Sequence, residues 1–247
     1  MSQAAFYLAM GGLDATTQDT VAIANNLANR ATVAYKAERP VFSAEPLYGA
    51  GLPNRVAVSA SRLSTDFSQG PIEETGRNLD VAINGAGWIA VQAEDGTVAL
   101  TRNGSLSISP SGVLQTSNGY AVLGNGLAPI VLPPLQKVTI GEDGTISGIL
   151  QGQPADQEVM LNRIVLTDPP TSALNRRGDG LFQDTAGTPQ PSAAVQLQIG
   201  ALEGSNTEPM SLMLSMIENT RTYERQTELM RTVVNADEGQ DSVLTLS

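Results

Sequence analysis

Three places along the chain hold residue types at spacings that chemistry uses. Gly85-Ala-Gly87-Trp-Ile-Ala90 follows an apolar run from Leu79 to Ile83 and has the spacing of a dinucleotide-binding turn with Ala in its last position. Such a turn works by opening a helix whose first N–H groups face a pyrophosphate. Here Trp88-Ile-Ala-Val91 runs straight to the turn signal Glu94-Asp95-Gly96, so the spacing reads as a tight turn between strands. Glu73-Glu74 offers two carboxylates, the groups that glycoside hydrolysis places across a sugar from each other. Neighbours on a strand point to opposite faces and cannot converge that way. Asp95, Asp143 and Asp179 each stand before Gly, but none leads into the alternating oxygen ligands and closing Glu of a calcium loop. Hairpin turns account for all three, and neither a metal nor a cofactor is expected.

The residue inventory narrows the chemistry further. With no Cys among 247 residues, disulfides and thiol catalysis are excluded, and with no His the commonest general base and metal ligand is gone. The expectation is a protein that is not an enzyme. Against 25 acidic residues stand 14 basic ones, a net charge of −11 that repels a phosphate backbone unless a basic face is segregated, and none is visible. Nucleic acid is not an expected partner. No Lys or Arg precedes Arg30, so the basic region that opens a secretory signal is missing, and no apolar run reaches membrane-spanning length.

The elements that would have to position any site differ sharply between the ends and the middle. Phe6, Met10, Leu13, Thr17, Thr20, Ala24 and Leu27 alternate steps of four and three, the spacing of one helical seam. Near the other end Met213, Met216, Thr220, Tyr223, Thr227, Met230 and Val234 step likewise, flanked by Glu218, Arg221, Glu224, Arg225 and Glu228. Each stripe needs a partner helix. Gly11-Gly12 is the weak point of the first, at about 1 kcal/mol per Gly relative to Ala. Pro40, Pro46, Gly49, Gly51 and Pro53 then break the pattern, and residues 32–75, including Val56-Ala-Val58, read as an extended connector.

Between residues 76 and 198 the turn signals come at short intervals: Asp95-Gly96, Asn103-Gly104, Ser111-Gly112, Asn118-Gly119, Asn125-Gly126, Asp143-Gly144 and Asp179-Gly180. Aromatic residues are only 4% of the chain while Gly and Pro number 24 and 14, which favours short strands and many turns. Two pieces look alike, Leu106-Ser-Ile-Ser-Pro-Ser-Gly-Val-Leu114 and Val138-Thr-Ile-Gly-Glu-Asp-Gly-Thr-Ile146, as a hairpin repeat or shared turn chemistry would make them. The fold class is therefore α+β, with a helix at each end (residues 1–31 and 199–247) and a central all-β domain. Trp88 and Tyr120 read as core anchors of that domain, and Met210, Met213, Met216 and Met230 as filler in a helix seam.

Asn25, Asn26 and Asn29 are out of place in the last turns of a helix, where Asn is a poor helix former. Close helix packing beside the small residues Ala22, Ala24 and Ala28, with Asn fixing register, explains them; a helix end fraying into the connector is the bland alternative.

Ala24-Asn25-Asn26-Leu27-Ala28-Asn29 with Thr32 and Tyr35-Lys36 resembles the N-terminal signature of the flagellar rod and hook axial proteins. Leu202-Glu203-Gly204-Ser205-Asn206, then Met216-Ile217-Glu218, Arg221, Tyr223-Glu224 and Met230, resembles the C-terminal signature of the same family. In the centre Leu79-Asp-Val-Ala-Ile-Asn-Gly-Ala-Gly-Trp88, Thr101-Arg-Asn-Gly104 and Gly119-Tyr-Ala-Val-Leu-Gly124 are similar to its β-domain, so the resemblance spans nearly the whole chain. Ala34 departs from the Gly usual before Tyr-Lys, Thr207 from the usual Val, and Trp88-Ile89 from a common Phe pair. The short connector and the tail Asp241–Ser247 look more like the proximal rod members than the distal ones.

The resemblance implies that the terminal helices pair as a coiled-coil-like inner layer with the β-domain outside, subunits following a helical screw. It implies a structural role in a hollow, torque-transmitting shaft that crosses the periplasm in the flagellar basal body. Its partners would be further copies, other proximal and distal rod proteins, and the flagellar type III export apparatus, through which subunits leave uncleaved. The expected assembly interface comprises Leu13, Ala24, Asn25, Asn26, Leu27, Ala28, Asn29, Met213, Met216, Ile217, Tyr223 and Met230. A polar-seamed helix of about 28 residues, about 42 Å long, gains little alone in water, so neighbouring subunits would supply its burial. A β-rich secreted binding module would instead carry a ligand pocket and ordered ends, and an enzyme would show turnover without His or Cys.

Overall fold

The seams at the two ends of the chain become its two long helices in the computed structural model, which describes residues 2–46, 56–154 and 157–244. Helix α1 is Ser2–Ala28 and helix α2 is Pro209–Leu244. Gly11-Gly12 does not interrupt α1. Pro209 stands at the first position of α2, where its missing N–H has no intrahelical acceptor to lose. The punctuation at Gly49, Gly51 and Pro53, the side chains of Phe6 and Val234 and the last residues of the tail lie outside the described residues.

Two compact units make up the chain. The first takes residues through Arg30, Ala37–Asp66 and those from Thr207 onward; the second takes Ala31–Lys36 and Phe67–Asn206. In the first unit β1 (Glu38–Pro46) and β2 (Val56–Thr65) pair antiparallel from Glu38↔Thr65 to Pro46↔Val56, with a register shift between Val41 and Phe42. Within the stretch read as a connector, the chain thus doubles back on itself as a two-stranded ribbon.

The second unit is built of short strands. It begins with β3 (Ile72–Glu74), β4 (Val81–Asn84), β5 (Trp88–Gln92), β6 (Val98–Thr101), β7 (Leu106–Ile108), β8 (Leu114–Thr116) and β9 (Ala121–Val122). It continues through β10 (Leu135–Ile140), β11 (Thr145–Leu150), β12 (Val159–Arg163), β13 (Leu166–Thr167), β14 (Leu174–Arg176), β15 (Phe182–Asp184), β16 (Gln196–Ile199) and β17 (Ala201–Glu203). The largest sheet runs β14-β15-β6-β5-β9-β8-β7 with β13 also on β5, and β10-β11-β12 forms a separate meander. Two long-range pairings close the unit: β16 lies antiparallel to β4, and β17 to β3.

The turn chemistry works largely as the sequence predicts. Gly96, Gly112, Gly119, Gly126, Gly144 and Gly180 take φ between 79° and 89°, the region closed to most L-residues. Gly104 is different: its φ is not positive, and a Cβ there would collide with the Val81 carbonyl, while Val81 N–H donates to the Gly104 carbonyl at 3.0 Å. Asn103-Gly104 therefore marks a crossing of backbones, not a hairpin, and β6 and β7 lie apart in the sheet. The two look-alike pieces do fold alike, with Ile108↔Leu114 and Ile140↔Ile146 flanking turns in which Gly112 N–H reaches Ser109 O and Gly144 N–H reaches Gly141 O, both at 2.9 Å.

Apolar alternation along these strands fills two buried clusters. The larger includes Val81, Ile83, Ile89, Val91, Leu106, Leu114, Val122, Ile130, Ile140, Ile146 and Ile164. The smaller holds Trp88 with Ala90, Leu100, Leu123, Val165, Leu174 and Phe182, and Phe67 packs on it with its ring 6.0 Å from Trp88 and nearly perpendicular. Trp88 is thus a core anchor. Tyr120, half-buried at the edge of the larger cluster, donates its hydroxyl to the Asp179 carbonyl at 3.3 Å.

Candidate assembly surface and a buried ion cluster

Helices α1 and α2 meet along a seam lined with small and polar groups. Thr16 Oγ1 donates to Gln226 Oε1 at 3.1 Å, Asn219 Nδ2 donates to Asp19 Oδ2 at 2.6 Å, and Gly12 faces Gln226 so closely that a Cβ there would lie 3.2 Å from its amide nitrogen. Ile23 and Asn26, further along α1, are buried. These positions stand one residue before the expected stripe of Leu13, Thr17, Thr20, Ala24 and Leu27. On α2 the half-buried Leu212, Ser215, Asn219, Thr222 and Gln226 likewise stand one residue before Met213, Met216, Thr220, Tyr223 and Thr227. One residue is 100° of helix rotation, so the expected stripe is offset from the seam and Met10, Ala24, Met213 and Tyr223 are exposed.

The expected interface residues consequently divide by exposure. Ala24, Asn25, Ala28, Met213, Ile217 and Tyr223 are exposed, the last three at 45–50%, and Leu13, Leu27, Asn29, Met216 and Met230 are half-buried. Met10, Val21, Leu214 and Leu229 add exposed apolar surface to the same two helices. Asn26 is the buried member: its Nδ2 donates to the Glu38 carbonyl at 2.7 Å and its Oδ1 accepts the Glu38 N–H at 2.9 Å. One side chain thus satisfies both backbone groups of the first residue of β1. Asn29 Nδ2 donates back to the Asn25 carbonyl at 2.9 Å, a second bond to an oxygen that also accepts the Asn29 N–H at 3.1 Å.

In the second unit, buried charges gather around Glu203. Its Oε1 accepts from Lys36 Nζ at 2.7 Å and from Gly70 N–H at 3.0 Å; its Oε2 accepts from Arg102 Nε at 2.7 Å. The side chains of Lys36 and Glu203 are fully buried and that of Arg102 is 5% exposed. Burial of ions this complete is tolerated only when every group is paired and hydrogen-bonded. Lys36 Nζ also donates to the Ser68 carbonyl at 2.6 Å, and the Arg102 guanidinium to the carbonyls of Gly85 and Gly87 at 2.9 Å. The Gly85-Ala-Gly87 turn therefore turns carbonyls to a cation, the opposite polarity to a phosphate-binding loop.

Backbone contacts tighten the same place. Ala34 N–H donates to the Glu203 carbonyl at 2.8 Å, Asn206 N–H to Tyr35 O at 3.2 Å, and Arg176 Nη1 to Lys36 O at 2.7 Å with its guanidinium 4.7 Å from the Tyr35 ring. Gly70 approaches Gly204 so closely that any Cβ would strike the Gly204 carbonyl. Lys36, Arg102 and Glu203 were not among the residues expected to form a site. The available signal was a lone charge in each of three motifs, Tyr35-Lys36, Thr101-Arg102 and Leu202-Glu203, otherwise poor in charge.

Elsewhere the candidate chemistry resolves into turns. Asp95, Asp143 and Asp179 each accept the backbone N–H two residues on at 3.0 Å. The Thr97 hydroxyl and N–H, then Arg177, hold the Asp95 carboxyl well below the ordinary 3.8. The Thr145 hydroxyl and N–H likewise lower the Asp143 carboxyl. Glu73 and Glu74 are both exposed on β3. Among the described residues no group of acidic side chains could hold a metal ion, and no helix is long and apolar enough to cross a membrane. A groove of about 410 Å³ between the Ser109–Gly112 turn and residues 132–138 contains Lys137 as its one titratable side chain.

Known proteins match this chain at both its β unit and its last helix. Residues 82–148 match the family Flagellar hook protein FlgE/F/G D1 domain, and residues 198–244 match Flagellar basal body rod FlgEFG protein C-terminal. Flagellar basal-body rod protein FlgF of Salmonella typhimurium is 36% identical over 96% of this chain and 95% of its own. The chain belongs to the flagellar basal-body rod protein family. Flagellar basal-body rod protein FlgF of Escherichia coli is 35% identical over 98% of this rod-family chain and 99% of its own, and Flagellar basal-body rod protein FlgG of Buchnera aphidicola (Schizaphis graminum) is 31% identical over 92% and 94%. As a rod-family member the chain is a structural subunit, most like FlgF, and no catalytic family is matched.

Proposed function

We propose that this rod subunit takes the proximal position and polymerises through its terminal helices, which pair as a coiled-coil-like layer whose outward apolar stripes are buried by neighbouring subunits. The exposed stripe carries this reading: Met213, Ile217 and Tyr223 stand 45–50% exposed on a helix whose seam to α1 is polar. Large apolar side chains exposed together on one helix support an interaction site there. The contact surface is assigned to Leu13, Ala24, Asn25, Asn26, Leu27, Ala28 and Asn29 on α1 and to Met213, Met216, Ile217, Tyr223 and Met230 on α2. A head-to-tail contact that does not close generates a helical filament, here a hollow shaft that carries torque across the periplasm.

In this reading residues 1–31 and 199–247 are the assembly segments, 32–75 connect, and 76–198 form the outer β-domain. The partners are further copies, proximal and distal rod proteins and the flagellar type III export apparatus, with no nucleic acid, cofactor or catalysis involved. Leu27→Asp and Ile217→Asp are expected to leave the β unit folded and abolish incorporation into basal bodies and swimming. Normal motility with either substitution would remove the assembly role of that stripe.

A further inference from the structure

Lys36 follows α1 and Glu203 precedes α2, so one buried ion pair joins the two stretches of chain that lead to the helices. The remaining contacts divide the work. Arg102 holds Glu203 to the body of the β unit, because its guanidinium also bonds the carbonyls of Gly85 and Gly87. Lys36 ties the N-terminal stretch to that carboxylate and to the Ser68 carbonyl, and Asn206 Nδ2 reaches the same Ser68 carbonyl at 3.1 Å from the C-terminal side. The Ser68 carbonyl is thus a shared acceptor for groups arriving from both directions, and the Glu203 carboxylate joins the N-terminal stretch to the body of the unit.

We propose that Lys36 is a positioning residue for assembly: by closing on Glu203 it fixes the spacing at which residues 31–36 and 203–206 leave the β unit, and so the spacing from which the two assembly helices start. This rests on the reading of the helices as assembly segments. A Lys suits the task because its ammonium is a compact charge with three donors, and the Ser68 carbonyl and Glu203 Oε1 lie 2.6 and 2.7 Å from it. Removing it leaves Glu203 paired with Arg102, so the ionic tie is lost without orphaning the carboxylate, while the backbone bonds of Ala34, Tyr35 and Lys36 remain.

The absence of Cys makes the test direct, since spin labels can be placed at Ala31→Cys and Glu208→Cys with no background thiol. Both sites are exposed. The expected result for the otherwise unaltered chain is a narrow label–label distance distribution, broadened about twofold or more by Lys36→Met through local release of the N-terminal stretch. Arg102→Lys should lower the urea midpoint, followed by Trp88 fluorescence, without broadening the distribution. An unchanged width in Lys36→Met, or equal broadening in Arg102→Lys, would overturn the proposal. If Lys36→Met does not fold, Lys36→Gln, which keeps a polar tip but no charge, is measured in its place: a broadened distribution supports the tie and an unchanged one overturns it. Incorporation of Ile217→Asp separates the two ideas, because its normal assembly sinks the assembly reading whatever the labels show, while its exclusion together with an unchanged Lys36→Met width sinks the tie alone.

Discussion

Ala34 takes φ 55°, in the left-handed region where a Cβ is crowded, and its N–H donates to Glu203. Gly adopts that backbone conformation without strain. The left-handed region costs an L-residue about 1–2 kcal/mol, and Gly forfeits about 0.5–1 kcal/mol to its freer unfolded chain. Ala34→Gly is therefore expected to raise stability by about 0.5–1 kcal/mol, read as a higher urea midpoint. Glu203→Ala acts in the other direction: it strands two buried cations and should cost about 3–5 kcal/mol in the same experiment. Asp95 sets a pH dependence. Its folded value lies below the unfolded 3.8, so its contribution is complete above that value and is lost only as pH falls through the depressed one. Carboxyl NMR should find Asp95 still ionised at about pH 3, where a free Asp is mostly protonated. The turn role of Asp95 is legible in the sequence from the following Gly. The pairing of Lys36 with Glu203 is not, because a contact between residues 167 apart leaves no local pattern.

For the helices, periodicity located the elements but not their rotation. Sequence reasoning follows apolar residues, and the seam between α1 and α2 is made by Gly12, Thr16 and Asp19 against Asn219 and Gln226. Hydrogen bonds and close approach decide that face, and neither registers on a hydrophobic scale. Asn26 shows the same limit: its neighbours mark it as unusual, while its bonds to both backbone groups of Glu38 depend on where β1 begins. Asn26→Ala should cost about 1–3 kcal/mol by leaving Glu38 without those partners, measured as a lower melting temperature of the helical signal. The exposed Asn25→Ala should change it little, since Asn29 bonds the backbone carbonyl at that position.

At the scale of the whole molecule, the central β character was legible from turn signals and alternation, and the long-range closure was not. β3 and β17 are three-residue strands outside the turn-rich stretch of 76–198, and they find each other only in the folded chain. Limited proteolysis of the dilute monomer should therefore leave a resistant fragment near residues 67–206, with both helices cut away; resistance along the entire chain would contradict a division into a stable β unit and labile assembly ends. A cut confined to residues 37–66 should leave the peptide around Lys36 attached without a covalent link, visible as co-elution at neutral pH and release in urea. The same ion pair governs timing during synthesis. Because Lys36 waits for a carboxylate 167 residues later, and β3 and β4 wait for β17 and β16, a chain still on the ribosome cannot finish its β unit before Glu203 has been made. Closure of so non-local a kind is slow. The nascent polypeptide therefore remains open through most of its own translation.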